Sequence, residues 1–244
     1  MECSMTQPEG SAAHLPQRTR IKICGLTRED DVRAAVDAGA DAIGLVFYPK
    51  SPRYVEVAQA AALAEAAGPF VTVTGLFVNA DLEDIAHVAE RVPLTLLQLH
   101  GDETPQFCTQ AAQRCALPFL RAARVRAGLD LVEFADQYRD AAALLLDAFV
   151  EGYGGGGHVF DWTLIPPAWL PPDPPVMATG NPNASGAPRI VLSGGLNAQN
   201  VAGAIERVRP YAVDVSSGVE AARGVKDHAR IAEFVRAVRS AEAG

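Results

Sequence analysis

Apolar residues fall into short, β-branched runs that recur along most of the chain and are separated by alanine-rich stretches. Most of these runs are apolar without strict alternation, which is typical of parallel strands that are buried on both faces. The pattern predicts eight strands, over residues 20–24, 42–47, 71–77, 94–99, 118–122, 143–147, 189–193 and 212–216.

The stretches between the runs carry the signals of helices. Thr27, Asn197 and Asp227 are suited to cap a helix N-terminus, and Gly39 and Gly68 are suited to end one. Helices are therefore predicted over residues 28–38, 57–67, 81–91, 104–115, 130–138, 198–208 and 227–240.

Eight strands that alternate with helices can form a closed barrel or an open, doubly wound sheet. The regular spacing of the strands favours the barrel, and no GxGxxG segment follows the first strand to support a dinucleotide-binding sheet. The predicted fold class is thus α/β, a (β/α)8 or TIM barrel. We expect residues 19–244 to form this single domain and residues 1–18 to form a flexible tail.

One long gap interrupts the spacing, between the sixth and seventh strands. It contains four successive glycines at residues 154–157. Residues 160–170 are expected to form a short helix. Residues 171–188 are rich in Pro, Gly, Asn and Ala, which predicts an exposed loop.

Composition and charge narrow the range of partners. Hydrophobic residues make up 49% of the chain, enough for a large core, and the formal net charge is −8. A negative balance argues against nucleic acid or an anionic membrane as the main partner. Residues 1–20 contain no apolar run of signal-peptide length, and no stretch of the sequence approaches the roughly 18 apolar residues that span a bilayer. We therefore expect a cytoplasmic protein.

The cysteines indicate neither a disulfide framework nor a metal site. Cys3, Cys24, Cys108 and Cys115 form no CxxC pair and no zinc-type cluster with histidine. We expect free thiols, which fit a reducing compartment.

The loops expected after the seventh and eighth strands combine glycine with serine, at the two places where such barrels commonly bind phosphate. Glycine lets backbone N–H groups approach phosphate oxygens, and serine hydroxyls add donors. Either loop alone could be an ordinary tight turn, but their joint occurrence favours a phosphate site. The candidate residues are Gly194, Gly195, Ser216, Ser217 and Gly218, and Asp214 lies in the eighth strand.

Two strand ends carry candidates for acid–base chemistry. Asp147 follows three leucines at the end of the sixth strand, where barrel enzymes place catalytic groups. Cys24 ends the first strand, and Lys22 shares its face of the strand. The alternatives are a turn aspartate and a small buried cysteine. A lysine inside a barrel needs a carboxylate partner or a functional reason.

Polar residues also follow the second and fourth strands. Arg53 lies in a loop stiffened by prolines, and its guanidinium suits a carboxylate or phosphate, although a solvated surface arginine is an equal alternative. Gln98 and His100 share one strand face. His100 could act as a general base, but a hydrogen-bonded structural role is favoured for it.

Seven segments, taken in order, resemble the phosphoribosylanthranilate isomerases of tryptophan biosynthesis. Each segment is weak alone, but the ordered set covers nearly the whole chain from residue 20. The segments are KICGLT (22–27), GLVFYPKSPRYV (44–55), GLFVN (75–79), LQLHGDE (97–103), GGGGHVFDW (154–162), LSGGL (192–196) and DVSSGVE (214–220).

The resemblance implies a (β/α)8 barrel that performs an Amadori rearrangement. Its substrate would be N-(5-phosphoribosyl)anthranilate, a small phosphorylated molecule. By this resemblance Cys24 is the general base, Asp147 the general acid and Arg53 the contact for the anthranilate carboxylate. The glycine and serine loops hold the phosphate, and Lys22 and Asp214 are further substrate-binding candidates.

The chemistry suits these residue types. The ribose ring oxygen must gain a proton for the ring to open, so Asp147 should keep its proton at working pH. A proton must then leave the adjacent carbon, which Cys24 would take as thiolate. We expect burial to tune the acid and nearby positive charge, such as Lys22, to lower the pKa of the thiol. No metal or organic cofactor is needed.

Two segments depart from the family pattern. The glycine-rich segment is usually GGTG in this family, and Gly156 stands here at the position of the threonine. The loop over residues 171–188 is also longer than expected.

Two other functions remain open beside the isomerase. One is a lyase or synthase acting on a related sugar phosphate. The other is a non-catalytic barrel that only binds a phosphorylated ligand. The sequence leaves monomer and homodimer equally open.

Overall fold

The computed structural model describes residues 18–149, 159–170 and 187–242 of the chain. Within them, eight parallel strands form a closed barrel in sequence order, and the first strand pairs with the eighth. The predicted fold class is confirmed. The strands are β1 (Arg20–Cys24), β2 (Ala42–Val46), β3 (Thr72–Phe77), β4 (Leu96–Leu99), β5 (Phe119–Val125), β6 (Ala143–Ala148), β7 (Ile190–Leu192) and β8 (Ala212–Val215).

Helices follow most strands and pack their apolar faces against the outside of the barrel. None of the described helices is long and apolar enough to cross a membrane. The helices are α1 (Glu29–Ala38), α2 (Val57–Ala67), α3 (Leu82–Ala89), α4 (Pro105–Cys115), α5 (Leu131–Gln137), α6 (Val201–Val208) and α7 (His228–Glu242).

Three local predictions were wrong. Thr27 does not cap α1, because its hydroxyl donates to the carbonyl of Gly224, and Arg28 takes the N-cap position. The helix α6 begins at Val201 rather than at residue 198, although Asn197 does cap the turn before it, because its side chain accepts bonds from the amides of Gln199 and Asn200. The expected helix over residues 160–170 is instead two 3-10 turns, Trp162–Leu164 and Pro167–Trp169. Two successive prolines there remove the amide donors that an α-helix requires.

A two-stranded hairpin that the sequence pattern did not reveal lies between β8 and α7. Its strands are β9 (Glu220–Ala222) and β10 (Val225–Lys226), and a 3-10 turn, Ser217–Val219, precedes it.

Along the inner face of the strands, apolar residues in the barrel interior are followed by polar residues at the mouth. Leu145 and Ala212 belong to a small apolar cluster separate from the main core, and they lie on the inner face of β6 and β8. Because side chains alternate along a strand, Asp147 and Asp214 share that face two residues further on. The barrel therefore carries its polar residues to the carboxyl ends of the strands.

Candidate active site

A pocket opens at the carboxyl ends of the strands and collects most of the predicted site residues. The described lining includes Cys24, Arg53, Asp147, Gly194, Gly195, Asp214, Ser216 and Ser217, with apolar walls from Val46, Leu76, Val78 and Leu196. Of the predicted residues, Lys22 and Gly218 are not part of the lining.

Lys22 lies beneath the pocket in a buried ion pair. Its ammonium donates to Asp214 Oδ1 at 2.8 Å, and the hydroxyl of Ser193 donates to the other oxygen at 3.1 Å. Burial alone would lower the pKa of Lys22, but the attraction and hydrogen bonds of Asp214 and Cys24 together outweigh burial and leave that pKa raised. The pair supplies the carboxylate partner that an inward-facing lysine needs.

Cys24 is 5% exposed and lies beside this pair. Burial raises the pKa of the Cys24 thiol, Asp214 adds to the increase, and Lys22 and Lys226 act against it. The positive neighbours predicted for the thiol are therefore present. The prediction that the pKa of Cys24 is lowered was wrong, because the unfavourable free energy of removing the thiolate from water exceeds its stabilisation by the two ammonium groups.

Asp147 is hydrogen-bonded to His100 in the loop after β4, and His100 is in turn hydrogen-bonded to Gln98 on β4. His100 Nε2 lies 3.2 Å from Asp147 Oδ2, and His100 Nδ1 lies 2.9 Å from the amide nitrogen of Gln98. When the side-chain amide of Gln98 donates to Nδ1, the ring proton lies on Nε2, which then donates to the carboxylate of Asp147. His100 is thus hydrogen-bonded as predicted, and its partner is the candidate acid.

Arg121 on β5, which sequence reasoning missed, fixes the backbone around His100. Its guanidinium donates to the carbonyls of Leu99 at 2.8 Å and Gly101 at 3.1 Å, on either side of the histidine. Arg121 faces outward from the barrel, where only the tertiary structure connects it to the site.

Arg53 is buried, so the alternative of a solvated surface arginine was wrong. Its Nε and Nη2 donate to the two carboxylate oxygens of Glu220 at 2.7 and 2.9 Å. Glu220 also accepts a bond from Lys226, whose ammonium donates to the carbonyl of Ser216 at 3.0 Å. Lys226 is a third site cation that sequence reasoning missed, since no hairpin was predicted.

The two glycine and serine loops meet at the mouth. An ideal Cβ on Gly218 would lie 1.9 Å from the carbonyl oxygen of Leu196, so only glycine fits between the loops. Gly194 has φ +81°, and a Cβ there would lie 2.6 Å from the amide nitrogen of Ala148. The loops predicted to bind phosphate are therefore adjacent.

Two segments singled out in the sequence fall outside the described residues. They are the four glycines at 154–157 and most of the loop over 171–188. Among the described residues, no group of three or more histidine, cysteine, aspartate or glutamate side chains could hold a metal ion.

Comparison with known proteins identifies the family of this chain. The family model described as N-(5'phosphoribosyl)anthranilate (PRA) isomerase matches residues 21–237. The chain belongs to this family. The isomerase family member of Ralstonia pickettii is 70% identical over 226 residues, which are 93% of this chain and 95% of the relative. The isomerase of Dechloromonas aromatica is 60% identical over 225 residues, which are 92% of this chain and 98% of the relative.

Solved structures of the isomerase family share the barrel. The Thermotoga maritima isomerase is 41% identical with a TM-score of 0.77, over 91% of this chain and 99% of that one. Another isomerase structure, described as a complex with reduced 1-(o-carboxyphenylamino)-1-deoxyribulose 5-phosphate, is 39% identical with a TM-score of 0.74 over 91% and 99%. A 3-hexulose-6-phosphate synthase matches at 13% identity and a TM-score of 0.59, a likeness of fold alone.

Proposed function

We propose that this chain converts N-(5-phosphoribosyl)anthranilate to 1-(2-carboxyphenylamino)-1-deoxyribulose 5-phosphate in tryptophan biosynthesis. The observation that carries the proposal is that one pocket holds Cys24, Asp147 and both glycine and serine loops. A group that can give a proton and a group that can take one thus face the same space beside a candidate phosphate site.

In the first step Asp147 protonates the ribose ring oxygen. The bond from this oxygen to C1 breaks, and the anilino nitrogen supplies the electron pair that makes C1=N an iminium. The bond from His100 Nε2 to Asp147 Oδ2 orients the carboxyl group and stabilises the carboxylate that remains.

In the second step the thiolate of Cys24 removes the proton on C2, and the electrons of that bond neutralise the iminium. The resulting enolamine becomes a ketone when the C2 hydroxyl loses its proton and C1 gains one. Lys22 and Lys226 favour the thiolate, because each acts to lower the pKa of Cys24. Atoms and electrons balance within the substrate, so no oxidant enters.

Charges around the pocket suit a substrate with two anionic groups, a carboxylate and a phosphate. The Lys22–Asp214 pair is neutral overall, whereas Arg53 and Lys226 share the single carboxylate of Glu220. One positive charge therefore remains beside the candidate carboxylate and phosphate positions. The pocket lining comes from one barrel, so the proposed chemistry is compatible with a monomer or a homodimer. The free thiols of Cys24, Cys108 and Cys115 fit a location in the reducing cytoplasm.

The decisive test is steady-state turnover of freshly generated phosphoribosylanthranilate, followed by loss of its fluorescence. Replacing Cys24→Ser and Asp147→Asn should each lower kcat/KM by about 10²–10⁴-fold, because each removes one acid–base partner. Cys115→Ser and the exposed Asp37→Asn are matched controls and should keep wild-type turnover.

Circular dichroism should show all four variants folded. Wild-type protein that binds the substrate without turnover would favour the non-catalytic barrel. Full turnover in both site variants would contradict the assigned acid and base.

A further inference from the structure

The hairpin of β9 and β10 touches three of the loops that surround the pocket. At its tip, the carbonyl of Gly224 accepts a bond from the hydroxyl of Thr27 at 2.6 Å, in the loop after β1. An ideal Cβ on Gly224 would lie 2.7 Å from the carbonyl oxygen of Pro52, in the loop after β2. At its base, Lys226 donates to Ser216 in the loop after β8. The hairpin therefore fastens these loops together.

Its charged side chains are buried. Glu220 and Lys226 are opposite each other across the two strands, and their side chains are 6% and 0% exposed. The side chain of Arg53 is 9% exposed. Burying three charges is costly unless each is paired and hydrogen-bonded, which this arrangement achieves through the one carboxylate between two cations. Such an arrangement tolerates little movement of any member.

The bidentate bond to Glu220 sets the plane of the Arg53 guanidinium. It uses Nε and Nη2, which leaves the edge that carries Nη1 available to an anion in the pocket. The stem of Arg53 is held as well, because a Cβ on Gly25 would lie 2.4 Å from Arg53 Cδ. The orientation of this arginine thus depends on contacts outside the substrate pocket.

We propose that the hairpin positions Arg53 for the carboxylate of the substrate, with Glu220 and Lys226 as positioning residues and Gly224 as the docking point on the loop after β2. This inference rests on the proposed function, which supplies the carboxylate. It assigns the hairpin a part in substrate selection rather than in the acid–base steps.

Gly224→Ala tests the proposal from outside the pocket. The new methyl group would push the hairpin tip away from Pro52 and should weaken binding of reduced 1-(o-carboxyphenylamino)-1-deoxyribulose 5-phosphate by about tenfold, with a similar loss in kcat/KM. Gly128→Ala is the control for a positive φ. Gly128 has φ +88°, near the +78° of Gly224, but nothing lies within 4 Å of its Cβ position.

A double-mutant cycle with Arg53→Ala separates positioning from general destabilisation. If the hairpin acts through Arg53, Gly224→Ala should cost about tenfold in Kd with Arg53 present and nothing measurable once Arg53 is absent. Glu220→Gln should follow the same pattern, which keeps the test decisive if Gly224→Ala fails to fold.

Equal losses in both backgrounds, or no loss in either, would overturn the inference. Because Kd is measured by calorimetry without turnover, the cycle still decides the role of the hairpin if the wild-type protein proves inactive. An inactive wild-type protein would overturn the proposed function instead.

Discussion

Gly44 on β2 shows how a missing side chain can shape a reactive site. An ideal Cβ there would lie 2.6 Å from Cys24 Sγ and 3.0 Å from Lys22 Nζ. Contacts below 3.0 Å force a neighbour to move, and here one neighbour is the candidate base. The missing side chain of Gly44 therefore leaves the space that the thiol of Cys24 occupies.

Gly44→Ala should displace the thiol and lower kcat/KM by about 10²-fold, since small misplacements of reacting groups are costly. Overpacking should also lower the free energy of unfolding by about 1–3 kcal/mol. Kinetic assays and urea denaturation measure the two effects. Gly203→Ala in α6, where nothing lies within 4 Å of the Cβ position, should keep full activity. Wild-type kcat/KM in Gly44→Ala would show that the thiol position does not matter.

At the scale of elements, Asp31 joins α1, α7 and the hairpin. This fully buried carboxylate accepts bonds from Arg28 at 2.7 and 2.9 Å, from His228 Nε2 at 2.9 Å and from the amide of Lys226 at 3.2 Å. Burial would raise the pKa of Asp31, but the hydrogen bonds from Arg28 and His228 outweigh burial and hold that pKa below its usual range. One side chain thus connects α1 to two elements whose contact residues lie 195 and 197 positions further along the chain.

A carboxyl group with a lowered pKa in the folded state stabilises the protein above its unfolded pKa of about 3.9 and loses that effect as the pH falls through the folded pKa. Asp31→Asn should therefore cost about 1–3 kcal/mol of unfolding free energy at pH 7. The difference from wild type should narrow below about pH 4.

Urea denaturation from pH 7 downward checks this prediction. Asp37→Asn on the same helix is exposed and should match the wild type at every pH. A constant difference between Asp31→Asn and wild type across the range would contradict the role assigned to ionised Asp31.

At the scale of the whole molecule, the barrel closes around a thin apolar layer. Leu145 is fully buried in this layer with Leu120, Ala122 and Val191. The layer lies directly beneath the polar mouth, so the packing that closes the barrel also sets the spacing of the site residues above it.

Leu145→Ala should lower the free energy of unfolding by about 2–5 kcal/mol, because the rigid strands cannot collapse into the cavity. Leu164→Ala, at a leucine that is 38% exposed, should cost much less. Urea denaturation of both variants compares them directly. Similar losses would show that the inner layer does not determine stability.

The sequence by itself determined the barrel, the order of its strands and the strand ends that carry Cys24 and Asp147. These features are local: an apolar run buried on both faces, and a polar residue directly after it, are visible along the chain. The family is also visible in the sequence, because the seven ordered segments between residues 22 and 220 each lie within a short stretch of chain.

Only the tertiary structure decided which residues meet. Lys22 and Asp214 pair across 192 positions, and Arg53 and Glu220 across 167. Lys226 lies in the site because it belongs to a short hairpin, and the sequence of this hairpin has no clear periodic pattern. Such contacts form because closure of the barrel brings β8 beside β1. No local sequence pattern indicates which distant residues this closure brings together. The direction of the Cys24 pKa likewise followed from burial, which exists only once the chain has folded.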